Sequence, residues 1–331
     1  MATVDSLVDA IGVPSVQGPL VRVIVLVWND VEDTLECLTS LAEQTCRNVQ
    51  IVVVDNGSEP PLEPTRFEFW PNVRTVRNKR NLGYAGGNNV ALRSAVAEGV
   101  DYVFLANNDT IFEPHMLERL ITAAEGDPKI AAAGPTVLFY SDPDVVESRG
   151  RLIDRCTAVE TVRDRGLSRR CGDLATARVD FLVGCGLLIR ASALRRVGVL
   201  DERFFLNYEE TDLCCRIADA GLRVVCVPAA EMWHKVGRSF DKSPSWLSRY
   251  YMQRNRWLFL WKRGRRGKAW VSAWRALILG WELTIHHWRR GQSIPANILV
   301  HRCAAEHFLR RRFGRVPAGL GRYLQRMAET E

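Results

Sequence analysis

The stretch VRVIVLVW at 21–28 is a continuous, β-branched apolar run, and it constrains the fold more than any other part of the chain. A strand with one wet face alternates apolar and polar residues, so a run without alternation demands cover on both faces. The same signal returns three times. DVEDTLECLTSLAEQ (30–44) places Val31, Leu35, Leu38 and Leu41 at helical spacing, and VQIVVVDNGS (49–58) is a second buried strand ending in a carboxylate and a turn. VRTVRN (73–78) is a shorter third strand, AGGNNVALRSAVAEG (85–99) opens a helix with glycines, and VDYVFLANND (100–109) is the fourth. PHMLERLITAAEG (114–126) follows, with Pro114 in a helix-initiating position. This alternation predicts an α/β fold: a mostly parallel central sheet flanked by helices.

In open sheets of this class ligands bind beyond the carboxyl ends of the strands. Those ends read Trp28-Asn29-Asp30, Asp55-Asn56-Gly57-Ser58, Asn78 through Asn81, and Asn107-Asn108-Asp109. Four polar turns therefore converge on one edge, where a polar ligand is expected. Beyond Pro135 the pattern changes. Residues 140–178 read as polar and irregular, VDFLVGCGLLIRASALRRVG gives a strand, a helix and a turn, and a helix is expected from about Glu210 to Ala220. A further strand then leads to a loop carrying His234.

Several residues at the edge could carry chemistry. NLGYAGGNN (81–89) offers three glycines and three amides before a helix, a setting that attracts phosphate. Its spacing matches neither G-x-G-x-x-G nor the P-loop. Asp109, with Asn107 two residues earlier, could hold a divalent ion, since Mg²⁺ and Mn²⁺ use few protein oxygens plus substrate phosphates; the alternative is a cap for the helix near Pro114. Glu209, Glu210 and Asp212 crowd a helix start, either as dipole decoration or as a general base with a raised pKa. His234 would matter as a second metal ligand.

The ordered set VWND, VDNGS, NLGYAGGNN, NNDT, FFLNYEETDLCCR and WHKVGRS resembles the family 2 (GT-A fold) inverting glycosyltransferases, and most of all their bacterial rhamnosyl- and galactofuranosyltransferase branch. The resemblance implies a catalytic domain over 21–240, with a nucleotide-sugar half to about 135 and an acceptor half after it. It implies that Asn29, Asp55 and Asn56 contact the nucleoside, and that Asn81, Gly83, Gly86 and Asn88 line the diphosphate and ribose pocket. Gly57, Gly87, Asn107 and Asn108 share that edge. Asp109 takes the place of the last Asp of the family's D-x-D metal motif, Asn107 stands where the first Asp often is, and His234 matches a histidine that ligates metal in some relatives. Glu210 stands at the catalytic base, so that the family's Glu-Asp pair is Glu-Glu here. The implied activity is inverting transfer of a sugar, rhamnose first, from a dTDP-, UDP- or GDP-linked donor. The acceptor is a glycan or polyprenyl-diphosphate-linked hydroxyl in cell-surface polysaccharide synthesis.

Charge is divided unevenly. From Trp246 to the end there are 18 Lys/Arg against 4 Asp/Glu, a net of +14, so with +7 overall the first 245 residues carry −7. Seven of the ten tryptophans (246, 257, 261, 270, 274, 281, 288) lie in that basic region, 246–331. Interleaved Trp and Arg suit helices lying in a membrane interface, as a lipid-linked acceptor would require; the alternative is that the tryptophans pack onto the catalytic domain. Residues 1–20 read as an N-terminal extension without signal-peptide character, and no window of about 18 uncharged apolar residues is present. Nine cysteines, without metal-binding spacing, read as reduced thiols. These features predict a cytoplasmic protein, peripheral on the inner face of the plasma membrane, with no nucleic acid partner. Two rivals remain: a nucleotidyltransferase, which lacks its basic G-x-G loop here, and a non-enzymatic anionic-lipid or nucleic-acid binder, which leaves the four polar strand ends unexplained.

Overall fold

The computed structural model describes residues 18–70, 72–235 and 245–322. The first half runs β1 (Val21–Val27), α1 (Val31–Ala42), β2 (Val49–Asp55), β3 (Val73–Arg77), α2 (Gly83–Ala97), β4 (Tyr102–Asn107), β5 (Thr110–Phe112), α3 (Met116–Gly126) and β6 (Ile130–Phe139). The second half adds β7 (Val146–Ser148), β8 (Arg151–Asp154), β9 (Val159–Val162), β10 (Ala177–Arg178), β11 (Gly186–Arg190), α4 (Ala191–Val197), α5 (Glu209–Asp219) and β12 (Arg223–His234). Three longer helices close the chain: α6 (Ser245–Lys262), α7 (Arg266–Arg289) and α8 (Ala296–Leu309).

The central sheet has the order β10-β12-β6-β11-β4-β1-β2-β3. Strands β3, β2, β1 and β4 are parallel, as are β6 and β12; antiparallel β11 joins the two groups. Val21, Val23, Val25 and Val27 pack on one face with Leu38 and Leu41 of α1 and Leu117 and Leu120 of α3. Ile24 packs on the other with Ala91 and Leu92 of α2. The unbroken apolar run is thus explained by two covered faces, as the α/β reading requires.

Three expectations change in detail. The polar stretch 140–178 is not irregular throughout: β7 pairs with β6, and β8 and β9 form a separate two-stranded sheet. Their short strands and exposed alternate positions leave too weak a period to read. His234 lies not in a loop but at the end of β12, opposite Thr110 of β5 and Phe139 of β6. Trp246 and Trp257 are buried, 6% and 1% exposed, in the same core as α2, α4 and α5. The packing alternative therefore holds for these two, whereas Trp274, Trp281 and Trp288 are exposed. Most of the expected N-terminal extension, the GRSF end of the His234 motif, and the chain beyond 322 lie outside the described residues.

Candidate active site

Beyond the ends of β1 and β2, side chains tie the loops to one another. Asp55 accepts the Ser58 (2.8 Å) and Leu62 (3.3 Å) backbone N–H groups and pairs with Arg77 Nε at 3.3 Å. It lines a cavity of about 420 Å³ with Leu62, Phe67, Thr75 and Arg77. Asn29, in a left-handed conformation (φ 61°), accepts the Glu59 N–H at 2.8 Å and donates its own N–H to Ser58 Oγ. Asn56 is buried and fully engaged. Its Oδ1 takes Asn78 Nδ2 and Leu82 N, both at 3.1 Å, and its Nδ2 donates to Asn81 Oδ1 (3.2 Å) and Gly83 O (3.1 Å). Asn81 Oδ1 also receives the Gly83 N–H at 2.7 Å. The Asn56 amide and the Asn81 carbonyl oxygen, expected on the ligand, shape the loop at the strand ends.

The glycines at the start of α2 also answer to the protein. Gly83 has φ 76°, and a Cβ there would lie 2.3 Å from the Phe205 carbonyl oxygen, which accepts the Ala85 N–H at 3.4 Å. Cβ atoms at Gly57, Gly86 and Gly87 would crowd Arg80, Leu82 and Leu26. One N–H at the helix start expected to receive phosphate, that of Ala85, is therefore taken by Phe205. Asn88 is buried, with Nδ2 on the Tyr84 carbonyl (3.0 Å) and Oδ1 without a partner.

After β4 the chain turns at Asn108 and Asp109. Asn107 donates its N–H to Cys185 O (3.4 Å), and Asn108 Nδ2 reaches Asp30 O (3.1 Å) and Thr34 Oγ1 (3.3 Å). Asn108 thus staples the turn to α1 through its Nδ2. Asp109 is different. It caps no helix: α3 begins after His115 without a side-chain cap. Its carboxylate is buried, and Oδ1 makes no hydrogen bond while facing His234 Nε2 at 3.5 Å. His234 Nδ1 sits 3.1 Å from Glu147 Oε2. Burial disfavours the imidazolium, but Asp109 and Glu147 outweigh that and raise the His234 pKa to about 9. Glu147 escapes a reading of the sequence, being one of several acids in a segment without a clear period; β7 brings it to the histidine.

Among the described residues no three His, Cys, Asp or Glu form a ready metal cage. A divalent cation needs less. The unpartnered Asp109 oxygen opposite an imidazole nitrogen fits an ion completed by substrate oxygens and water, and a carboxylate on the other imidazole nitrogen fixes the ring, as around metal-bound histidines.

The second group of acids opens α5. Phe205, Asn207 and Tyr208 precede it with φ of 67°, 68° and 76°, a conformation that costs a non-glycine residue on the order of 1–2 kcal/mol. Glu209 and Glu210 each bury an oxygen, Oε2, without a hydrogen bond. Burial pushes Glu210 up to about 7, the Gly184 N–H opposing it; burial and then Glu210 itself raise Glu209 well above the carboxylate range. Asp212 departs from the expectation of a base. It is fully buried and engaged by Lys262 Nζ (2.7 Å), Arg216 Nε (2.9 Å) and Arg263 Nη2 (3.3 Å), an ion-pair hub joining α5 to α6.

The loop before β11 brings the two groups together. Cys185 O accepts the Asn107 N–H, and Gly184 O accepts the Tyr84 hydroxyl at 2.6 Å. A Cβ at Gly184 would lie 2.2 Å from that hydroxyl oxygen. Burial first, then the charges of Glu147, Asp109 and Glu210, raise the Cys185 thiol pKa. Asp55 lies two strand spacings from the Asn107 end of β4, about 10 Å across the sheet.

Comparison with known proteins agrees with this architecture. The chain is 29% identical over 233 residues to the N-acetylglucosaminyl-diphospho-decaprenol L-rhamnosyltransferase of Mycobacterium tuberculosis, covering 63% of this chain and 73% of that one. It is 24% identical over 237 residues to the dTDP-rhamnosyl transferase RfbF of Shigella flexneri, covering 67% and 73%. A mannosyltransferase from Pyrobaculum calidifontis, solved with GDP-mannose and Mn²⁺, shares the fold with a TM-score of 0.52 at 18% identity, over 89% of this chain and 88% of its own. The family model of glycosyl transferase family 2 matches residues 22–198, more than half of the sequence, and the chain belongs to that family.

Proposed function

We propose that this glycosyltransferase moves rhamnose from dTDP-rhamnose to a hydroxyl of a glycan on a polyprenyl-diphosphate carrier, with inversion at the anomeric carbon. The observation that carries the mechanism is the buried Asp109 Oδ1, which makes no hydrogen bond and faces His234 Nε2 at 3.5 Å. The sugar and carrier follow the two rhamnosyltransferase relatives.

Asp55, Phe67 and the cavity they line receive the nucleoside. Asp109 and His234 would hold a divalent cation, Mn²⁺ suiting the imidazole better than Mg²⁺; bound there, it would neutralise the charge that builds on the departing diphosphate. Glu147 holds the His234 ring through Nδ1. Glu210, with a pKa near 7, takes the proton from the acceptor hydroxyl as its oxygen attacks the face opposite the leaving group. No second carboxylate is needed as a nucleophile, because a single displacement inverts the carbon. Screening dTDP-, UDP- and GDP-sugars for transfer with and without Mn²⁺ tests this; turnover with no dTDP-sugar, or turnover indifferent to EDTA, rejects the donor or the metal respectively.

The same reading places the enzyme on the inner face of the plasma membrane. Among the described residues no helix is long and apolar enough to cross a membrane. Instead α7 exposes Val271, Trp274, Ile278, Trp281, Ile285 and Trp288 at alternating spacings of three and four residues, one stripe along the helix. Lys268, Arg275 and Arg289 accompany the stripe with only Glu282 opposing them on this helix. Such a surface fits anionic head groups better than a second copy of itself, which its own charge would repel.

A further inference from the structure

The segment Arg203–Tyr208, just ahead of Glu209 and Glu210, turns through three left-handed residues and receives no side-chain cap at the start of α5. A left-handed turn of non-glycine residues persists only where its surroundings fix it. One side chain from another part of the chain does so. Asn255, in α6 and fully buried, points Nδ2 at the carbonyl oxygens of Phe204, Leu206 and Asn207, each at 2.8 Å.

Asn255 is itself held. Its Oδ1 accepts from Arg254 Nε (3.0 Å) and Nη2 (2.8 Å). The buried Arg254 also donates to Arg203 O (3.1 Å), Phe204 O (2.8 Å) and Gly314 O (2.7 Å), and its guanidinium lies over the rings of Tyr251 and Tyr250. Gly314 returns its N–H to Arg203 O at 2.9 Å, and Tyr251 stacks on Phe205 with ring centroids 5.2 Å apart. On the other side, Phe205 O is gripped by the start of α2. Every carbonyl from 203 to 207 therefore meets a fixed donor, all but one from α6.

We infer that Arg254 and Asn255 are positioning residues for transfer: they lock the left-handed turn that aims the carboxylate of Glu210 at the acceptor hydroxyl. They touch no substrate. Their arrangement exceeds what burying α6 requires, because Trp257, Phe259 and Leu260 already place that helix in the core. The inference rests on Glu210 being the base.

Asn255→Asp keeps size and shape but turns the donor into an acceptor facing three carbonyl oxygens. Turnover should fall by about thirtyfold or more, while KM for the nucleotide-sugar and the Mn²⁺ concentration for half-maximal rate stay within about threefold of wild type. The acid limb of the kcat–pH profile moves, since the carboxylate no longer sits in its native surroundings. A purely structural residue would lower the melting temperature and the fraction of active enzyme. It would leave kcat per nucleotide-binding site and that acid limb unchanged, and this result overturns the inference. If Asn255→Asp does not accumulate folded, Arg254→Lys, which keeps the charge and loses the forked donors, is read by the same criteria. Glu210→Gln separates the two claims. An active Glu210→Gln removes the base assignment, whereas an inactive Glu210→Gln beside a fully active Asn255→Asp removes only the positioning role.

Discussion

His234 presents Nε2 to Asp109 Oδ1 at 3.5 Å while Glu147 Oε2 lies 3.1 Å from Nδ1, so one imidazole joins two carboxylates that are 38 residues apart in sequence. Glu147→Gln should raise the Mn²⁺ concentration needed for half-maximal transfer by about 10- to 100-fold, the usual effect of losing the group that orients a metal-bound histidine. Saturating Mn²⁺ should restore much of the rate. An unchanged Mn²⁺ titration would show that Glu147 serves only the fold.

Asp109→Ala removes the one buried carboxylate oxygen that faces the imidazole without a hydrogen bond. Transfer should fall by at least about 100-fold, and calorimetry should find the Mn²⁺-dependent part of nucleotide-diphosphate binding gone. Binding of the nucleoside alone, in the cavity beside Asp55, should persist. Full turnover with unaltered metal dependence would move the cation elsewhere.

Glu210→Gln should lower kcat by about 100- to 10,000-fold with nucleotide binding retained, the range expected for a lost general base. In the wild type kcat should rise as pH increases through about 7, because only the carboxylate form accepts a proton. Glu209, Tyr84, Glu160 and Arg151 surround the group electrostatically and stay in place in the variant. The same raised pKa has a stability consequence of opposite sense to a salt-bridged acid. Between its unfolded value near 4.5 and about 7 the folded protein holds the extra proton, so this group's contribution to stability declines as pH rises through that window. Glu210→Gln should therefore gain in melting temperature relative to wild type from pH 5 to pH 8; a constant difference would refute the assignment of that titration.

Asp212→Asn tests the ion-pair hub. Removing the charge leaves Lys262 and Arg263, both mostly buried, without their central partner, and breaking such a buried network costs about 3–5 kcal/mol. Thermal denaturation should show a lowered midpoint, whereas kcat per folded molecule should hold within a few-fold. A stable but inactive variant would return Asp212 to the chemistry.

Replacing Trp274, Trp281 and Trp288 together by Asn should abolish flotation with anionic phosphatidylglycerol vesicles and spare transfer to a water-soluble acceptor. The wild type should bind such vesicles at low salt and release as ionic strength rises. Absence of wild-type binding even at low salt would refute membrane association.

What the sequence disclosed follows from which signals are local. The strands β1, β2 and β4 announce themselves because two-sided burial writes an unbroken apolar run. Asp109 stands out because it closely follows β4, and His234 through the family resemblance. Glu147 does not, since its meaning comes only from pairing of β7 with β6. Glu209, Glu210 and Asp212 are indistinguishable as neighbours; what separates them is a lysine and an arginine some fifty residues later. The amide-rich loop shows the converse difficulty. Asn56 and Asn81 have the chemistry to hold a ligand, and only the three-dimensional accounting of their donors and acceptors reveals that they hold each other.

The core shared by Trp257, Leu299, Val300 and Phe308 with α2, α4 and α5 bears on how the protein is made. Helices α1 and α3, which cover the opposite face of the sheet, emerge from the ribosome early. The roof over α2, α4 and α5 comes from α6, α7 and α8, which follow every strand of the sheet in sequence. Until α8 has left the exit tunnel that apolar surface lacks part of its cover, so consolidation here must wait for α8, and chaperones have their longest opportunity at this face.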